Sequence, residues 1–118
     1  MSNKTLRTGD YLGHILQAIA RIQRYTTGLT QAAFCGDEMV QDAVIRNIEI
    51  IGEAARNVER DNPAFAQQHA HIPWAIMYGM RNRLSHGYHQ VGLQLVWNTV
   101  QNDLPVLGNL IGKLLTTD

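Results

Sequence analysis

Apolar residues recur three and four positions apart over long stretches of this chain and nowhere alternate with polar ones, a pattern that predicts helices and no strands. A first helix is expected from about Thr8 to Leu29, with Leu12, Ile15, Leu16, Ile19, Ile22 and Tyr25 on its inner face and Gly28 helping to end it. Thr30 is a good N-cap for the next region; Gly36 breaks it early, and a helix continues from about Asp37 to Arg60. There Val40, Val44, Ile48, Ile51, Ala55 and Val58 form the inner stripe of a bundle helix. Arg60-Asp61-Asn62-Pro63 interrupts the pattern, and a polar stretch to Ile72 leads to a third helix with Pro73 at its first turn and its end near Gly87. Ile76, Met77, Met80 and Leu84 fall on one side of that helix, taken as its inner side. A fourth helix spans about Leu93 to Leu115, with a core stripe of Leu93, Trp97, Val100, Leu104, Leu107, Ile111 and Leu114, and Pro105 should kink it. The expected architecture is an all-α four-helix bundle, with room for a short extra helix, in one domain over residues 1–118.

Composition refines this picture. The chain has 118 residues and is 45% hydrophobic, enough for one core without disulfide staples. Ten cationic and ten acidic residues balance, so no global field holds a polyanion and any such contact must be local. Apart from Lys4 and Lys113 the cations are arginines, which suits bidentate recognition of phosphate or carboxylate. Cys35 is the only cysteine, which excludes an intramolecular disulfide, and it is expected as a small buried thiol. The N-terminal Met1-Ser2-Asn3-Lys4-Thr5-Leu6-Arg7 carries no apolar signal core, and no apolar run nears the roughly 20 residues of a membrane span, so a cytoplasmic location is expected.

A second stripe on the long second helix is charged: Asp42, Arg46, Glu49, Glu53 and Arg56 also step by three and four, at salt-bridging distance. Its plain reading is a solvated surface; Arg46 supporting a site is the sharper one. On the third helix Asn82 and His86, four apart, lie roughly 200° around from the presumed inner side, with Arg81 and Ser85 between. This makes Arg81, Asn82, Ser85 and His86 one polar patch near a helix C-terminus. Arg81 and His86 are about 140° apart on an ideal helix, so their convergence needs local unwinding at Gly87 or a second chain.

Such a patch suits cleavage of an RNA phosphodiester by attack of the ribose 2′-hydroxyl on the adjacent phosphate, chemistry that requires neither metal nor cofactor. His86 is the general acid/base, Arg81 the cation for charge building on the phosphate oxygens, and Asn82 an orienting group. One histidine per chain leaves a proton-transfer partner wanting, which points to a symmetric dimer. The plain alternative makes His86 a cation near a helix end and Arg81 a surface residue.

Arg81-Asn82-x-x-x-His86-x-Tyr88 resembles the R-x-x-x-x-H-x-Y signature of HepT-like toxins, a branch of the HEPN helical ribonucleases. Gln41 to Ala55, Ile72-Pro73-Trp74, Gly79-Met80-Arg81-Asn82 and Val96 to Pro105 resemble the same family in the same order, covering about residues 37 to 110. The resemblance implies a HEPN four-helix bundle that dimerises around a shared cleft, and a toxin of a toxin-antitoxin pair that cleaves cellular RNA, tRNA or mRNA. It also implies a partner, a minimal nucleotidyltransferase antitoxin of the MntA type that attaches AMP to the motif tyrosine, Tyr88 here. Arg46, Glu49 and Glu53 then become supporting candidates, either for Arg81 and RNA or as a salt-bridge network. Gly52 beside them suits a close helix crossing.

Other candidates have plainer readings. His69-x-His71 and His86-x-x-His89 lack a carboxylate or cysteine at a supporting spacing, so no metal site is expected. His14 has no evident role, and Trp74 and Trp97 read as core. Two further readings stay open: a non-catalytic helical module that binds a nucleotide or a nucleotidyltransferase, and a purely structural dimer.

Overall fold

Side-chain caps start the helices where their sequence signals lie. Thr30 Oγ1 accepts from the Ala33 amide at 3.1 Å and Asp37 Oδ1 from the Val40 amide at 3.1 Å, while Asn62 Oδ1 accepts from the Phe65 amide at 3.3 Å just before Pro63. The computed structural model describes residues 3–85 and 92–116, with side chains from 7 to 80 and from 92 to 116. Its elements are α1 (Asn3–Thr26), α2 (Gln31–Cys35), α3 (Glu38–Asp61), α4 (Pro63–Gln68), α5 (Trp74–Ser85), α6 (Leu93–Asn98), a π-helical turn (Thr99–Asp103) and α7 (Leu104–Thr116). No strand occurs among the described residues. The protein is the expected all-α bundle, its four long members being α1, α3, α5 and the α6–α7 rod, with α2 and α4 as short extra helices. Among the described residues no helix is long and apolar enough to cross a membrane.

The antiparallel-length pair α1 and α3, 24 residues each, makes the central contact; α5 packs on α3, α7 on α1, and α2 against α3 and α6. Ile15, Ile22, Val44, Ala55, Val58, Phe34 and Ile111 are fully enclosed between them. Polar stitches fix the register of the central pair. Arg21 Nε donates to Asn47 Oδ1 at 2.8 Å, and Asn47 Nδ2 in turn donates to the Ala43 carbonyl at 2.8 Å. At the other end Tyr11 donates its hydroxyl to Asp61 Oδ2 at 2.9 Å, and Asn62 Nδ2 donates to Thr8 Oγ1 at 3.2 Å. Gln41 is buried and donates to the Phe34 and Cys35 carbonyls at 2.9 and 3.0 Å, satisfying the end of α2.

Four features differ from the sequence reading. First, α1 ends at Thr26, because Thr26 and Thr27 hydroxyls take the Ile22 and Gln23 carbonyls and Gly28 turns the chain at φ 80°. Second, Cys35 is exposed, since a five-residue helix can bury one side only and Phe34 takes it. Third, Ile76 is 68% exposed although the spacing placed it on the inner side of its helix. Fourth, Pro105 does not simply bend a continuous helix. The five residues Thr99–Asp103 widen to a π turn in which the Leu104 amide donates to the Thr99 carbonyl. Proline lacks an amide hydrogen and its ring crowds the carbonyl four residues back, and widening the turn immediately before it relieves both conflicts.

Candidate active site

The segment singled out by its chemistry belongs to α5, and the start of that helix is held firmly. Trp74 is buried and its indole Nε1 donates to both the Ala66 and His69 carbonyls at 3.2 Å, tying the α4 turn to the first residue of α5. Pro73 accepts from the Met77 amide at 3.0 Å, as the residue before a helix does. Trp74 and Met77 face α3, Tyr78, Gly79 and Met80 are half-buried, and Ile76 is outside.

This sets the rotation of the helix. At about 100° per residue the buried line through Trp74 and Met77 is turned by roughly 80° from the side inferred from spacing, and its next members in register are positions 81 and 84. Arg81 therefore continues, by backbone register, the line of the two buried residues one and two turns before it. Asn82 lies one step further round in the same last turn. His86 and Tyr88, with His89, lie outside the described residues.

The supporting candidates of α3 gather elsewhere on that helix. Arg46, Glu49 and Glu53 border a shallow groove of about 330 Å³ together with His14 of α1, Ile50, Ala54 and Asn57. Arg46 Nη1 lies 3.9 Å from Glu49 Oε1, but 71% of the Arg46 side chain is exposed, so this is a long surface pair that contributes little to stability. The structure thus brings together three residues expected from the sequence and adds His14, which sequence spacing could not connect to them because it belongs to another helix. Gly52, one residue before Glu53, is buried in α3.

A second and more apolar groove, of about 440 Å³, opens between α5 and α7 over α3. Ile48 and Ile51 form part of it, with Met77 and Met80 on the α5 wall and Leu107 and Leu110 on the α7 wall. The π turn contributes Thr99, Asn102 and Asp103 to the same groove, so the deformation before Pro105 places polar groups beside Met80, the residue preceding Arg81. No group of three or more His, Cys, Asp or Glu side chains among the described residues is arranged to hold a metal; the His69 and His71 rings are 5.9 Å apart.

Comparison with known proteins agrees with the motif. The Ribonuclease HepT-like family matches residues 15–114. The chain is 41% identical over 105 residues to a Thermococcus cleftensis protein named "Probable ribonuclease HepT", covering 89% of this chain and 93% of that one. It is 42% identical over 105 residues, 89% of its length, to a Methanocaldococcus jannaschii protein named "Gamma-glutamylcyclotransferase and putative RNase", of which it spans 46%. A "Putative RNase" of Caldanaerobacter subterraneus subsp. tengcongensis is 32% identical over 105 residues, covering 89% of this chain and 91% of that one. No solved structure matches.

Proposed function

The chain belongs to the HepT-like ribonucleases of the HEPN type, and from that premise we propose that it is a metal-independent endoribonuclease toxin, neutralised by a nucleotidyltransferase antitoxin and assembled as a homodimer. The observation that carries the reading is the family match across residues 15–114, which spans Arg81, Asn82, His86 and Tyr88 in unbroken order. The register of α5 supports it, because a helix pinned by Trp74 and Met77 gives position 81 a defined place at the end of a buried line.

In this mechanism a histidine imidazole accepts the proton of a ribose 2′-hydroxyl, and the resulting oxygen attacks the neighbouring phosphorus. The bond from phosphorus to the 5′-oxygen breaks, leaving a 2′,3′-cyclic phosphate, and the departing oxygen takes a proton from a second acid. His86 of each of two chains supplies base and acid. Arg81 meets the charge that builds on the non-bridging oxygens, and its planar fork suits two of them at once. Asn82 orients one of these groups, and Arg46, Glu49 and Glu53 support the site as a charged network on the surface of α3. Metal and cofactor are unnecessary, since both proton transfers belong to imidazole near neutral pH.

The partner is a minimal nucleotidyltransferase of the MntA type. Its transfer of AMP to the Tyr88 hydroxyl adds phosphate charge beside Arg81 and His86, which occupies the cation and repels RNA. The substrate is cellular RNA, tRNA or mRNA, in the cytoplasm, and residues 1–118 act as a single domain. His86→Ala should abolish RNA cleavage and growth inhibition while the protein stays folded and dimeric, and wild-type cleavage should persist in a chelator. If wild type and variant degrade RNA equally, the catalytic reading fails and the protein is a binding module. Co-expression with an active antitoxin should add the mass of one or more AMP groups at Tyr88.

A further inference from the structure

The groove of about 330 Å³ between α1 and α3 gathers an imidazole, a guanidinium, two carboxylates and a carboxamide around an apolar floor. Ile50, half-buried, and Ala54, buried, make that floor, while Glu49, Glu53 and Asn57 follow one another along α3 at intervals of four residues. His14 comes from α1 and is exposed. Tyr11 meets its ring edge-on, with centroids 6.4 Å apart and planes at 66°, a contact that engages at most one face of the imidazole. Arg46 reaches into solvent, and its separation of 3.9 Å from Glu49 is too long for a hydrogen bond, so the pair leaves donors and acceptors for a ligand.

We propose that this groove is a subsite for the RNA substrate and that it takes an unpaired guanine base. The inference rests on the ribonuclease reading above and gives it a base preference. The carboxylates decide the base. A carboxylate only accepts, through two oxygens side by side. Guanine alone of the four RNA bases sets two adjacent N–H donors, N1–H and the 2-amino group, on its Watson–Crick edge; uracil has one, and adenine and cytosine place an acceptor beside their amino group. His14 offers a ring for the base to stack on, and Ile50 and Ala54 the dry surface beneath it. Arg46 meets the phosphate of the same nucleotide. The volume lies at the lower end of the about 300–1,000 Å³ of small-molecule sites, enough for a base and not for a folded partner. A basic protein segment suits the groove less well, because Arg46 beside the carboxylates repels a second cation.

The location suits a substrate cut at the end of α5. Ile48 and Ile51 share the other groove with Met80, the residue before Arg81, whereas Arg46, Glu49 and Ile50 belong to the same turns of α3 on a different side. The two grooves are therefore separated by one helix width, about 10–12 Å with side chains. A single strand crosses that width in a few nucleotides, so a guanine held against His14 fixes which phosphodiester reaches the last turn of α5. In this way α1 takes part in choosing the cut without touching the reacting atoms.

The test is binding of short, fluorescein-labelled uridine oligomers that carry one central guanosine, inosine or adenosine, read by anisotropy on the His86→Ala chain so that the RNA stays uncut. Inosine lacks only the 2-amino group, so it should bind at least about tenfold more weakly than guanosine, and adenosine no better than inosine. Glu49→Gln with Glu53→Gln should keep the helicity and erase this preference; Glu49→Gln alone serves should the pair unfold the chain, and it too should narrow the difference. His14→Ala should weaken guanosine and inosine oligomers alike. Arg46→Ala should weaken every oligomer, keep the preference for guanosine and lower the slope of log affinity against log salt by about 0.7, the share of one phosphate in a single strand. Equal binding of guanosine and inosine overturns the inference, as does a preference that survives both glutamine variants. Glutamines that release the antitoxin while the guanosine preference persists overturn it too, and give the groove to a basic protein segment. The ribonuclease reading fails separately: a wild type that prefers guanosine-containing RNA yet cleaves none of it leaves the subsite in place.

Discussion

Phe34 offers the most direct test of how this bundle is assembled. It is fully buried on the five-residue helix α2, and its ring lies 5.4 Å from that of Trp97 on α6 at an interplanar angle of 36°. A buried aromatic side chain removes about 150–250 Å² from water, which at about 25 cal/mol per Å² corresponds to about 4–6 kcal/mol as an upper bound. Phe34→Ala loses most of that contact and leaves a cavity bounded by α2, α3 and α6, so the cost should be about 3–5 kcal/mol. For a domain of this size about 4 kcal/mol corresponds to a fall of roughly 15 °C in Tm. Thermal and urea unfolding followed by far-ultraviolet circular dichroism measure it, with Phe34→Leu losing much less. RNA cleavage per folded molecule, well below the new Tm, should match wild type, because Phe34 holds α2 on α6 and lines neither groove. A loss under about 1 kcal/mol would refute the reasoning, since it would mean that α2 is not clamped by this residue.

Gln41→Leu, of similar bulk, strips two hydrogen bonds from the Phe34 and Cys35 carbonyls and should destabilise by about 1–2 kcal/mol. Unchanged or increased stability in urea melts would show that those carbonyls are satisfied otherwise. The carboxyl of Asp61 is held below the ordinary aspartate range by the hydrogen bond from Arg60 Nε, at 3.1 Å, and then by that from Tyr11. A depressed native pKa means the unfolded chain binds the proton more tightly, so this contribution is present above about pH 4 and is lost as pH falls through the native value. Tyr11→Phe removes one donor, so its deficit in urea midpoint against wild type should shrink in acid; a deficit constant across the whole pH range would show that Asp61 is not involved.

Much of this protein was determined by the sequence alone, and the physical reason is locality. A cap needs only the residues within three positions of it, so Thr30 and Asp37 mark helix starts whatever the rest of the chain does, whereas Asn62-Pro63, read from the sequence as an interruption leading into a polar connection, starts the short helix α4. The inner stripes of α1, α3 and α7 were equally legible. Leu12, Ile15, Ile19, Ile22, Val44, Ile48, Ile51, Ala55, Val58, Leu104, Leu107 and Ile111 are all buried, because a helix with one apolar side has one way to turn. The polar patch near the end of the third helix came from spacing as well, while the family came from the resemblance of the motif and its flanking segments to known proteins.

Tertiary structure decided what depends on a neighbour. The apolar residues of α5 spread over more than half its circumference, so its rotation was settled only by docking on α3, which buried Trp74 and Met77, left Ile76 outside and set Arg81 in line with the buried pair. Whether the conflict at Pro105 ends in a bend or a π turn depends on which register keeps Trp97 and Leu107 both in the core. Cys35 is exposed because Phe34 won the buried side of a helix too short for both. The meeting of His14 with Arg46 and Glu49, and the groove that Ile76 and Val106 overlook, involve residues distant in the chain, and only their packing made either of them a surface.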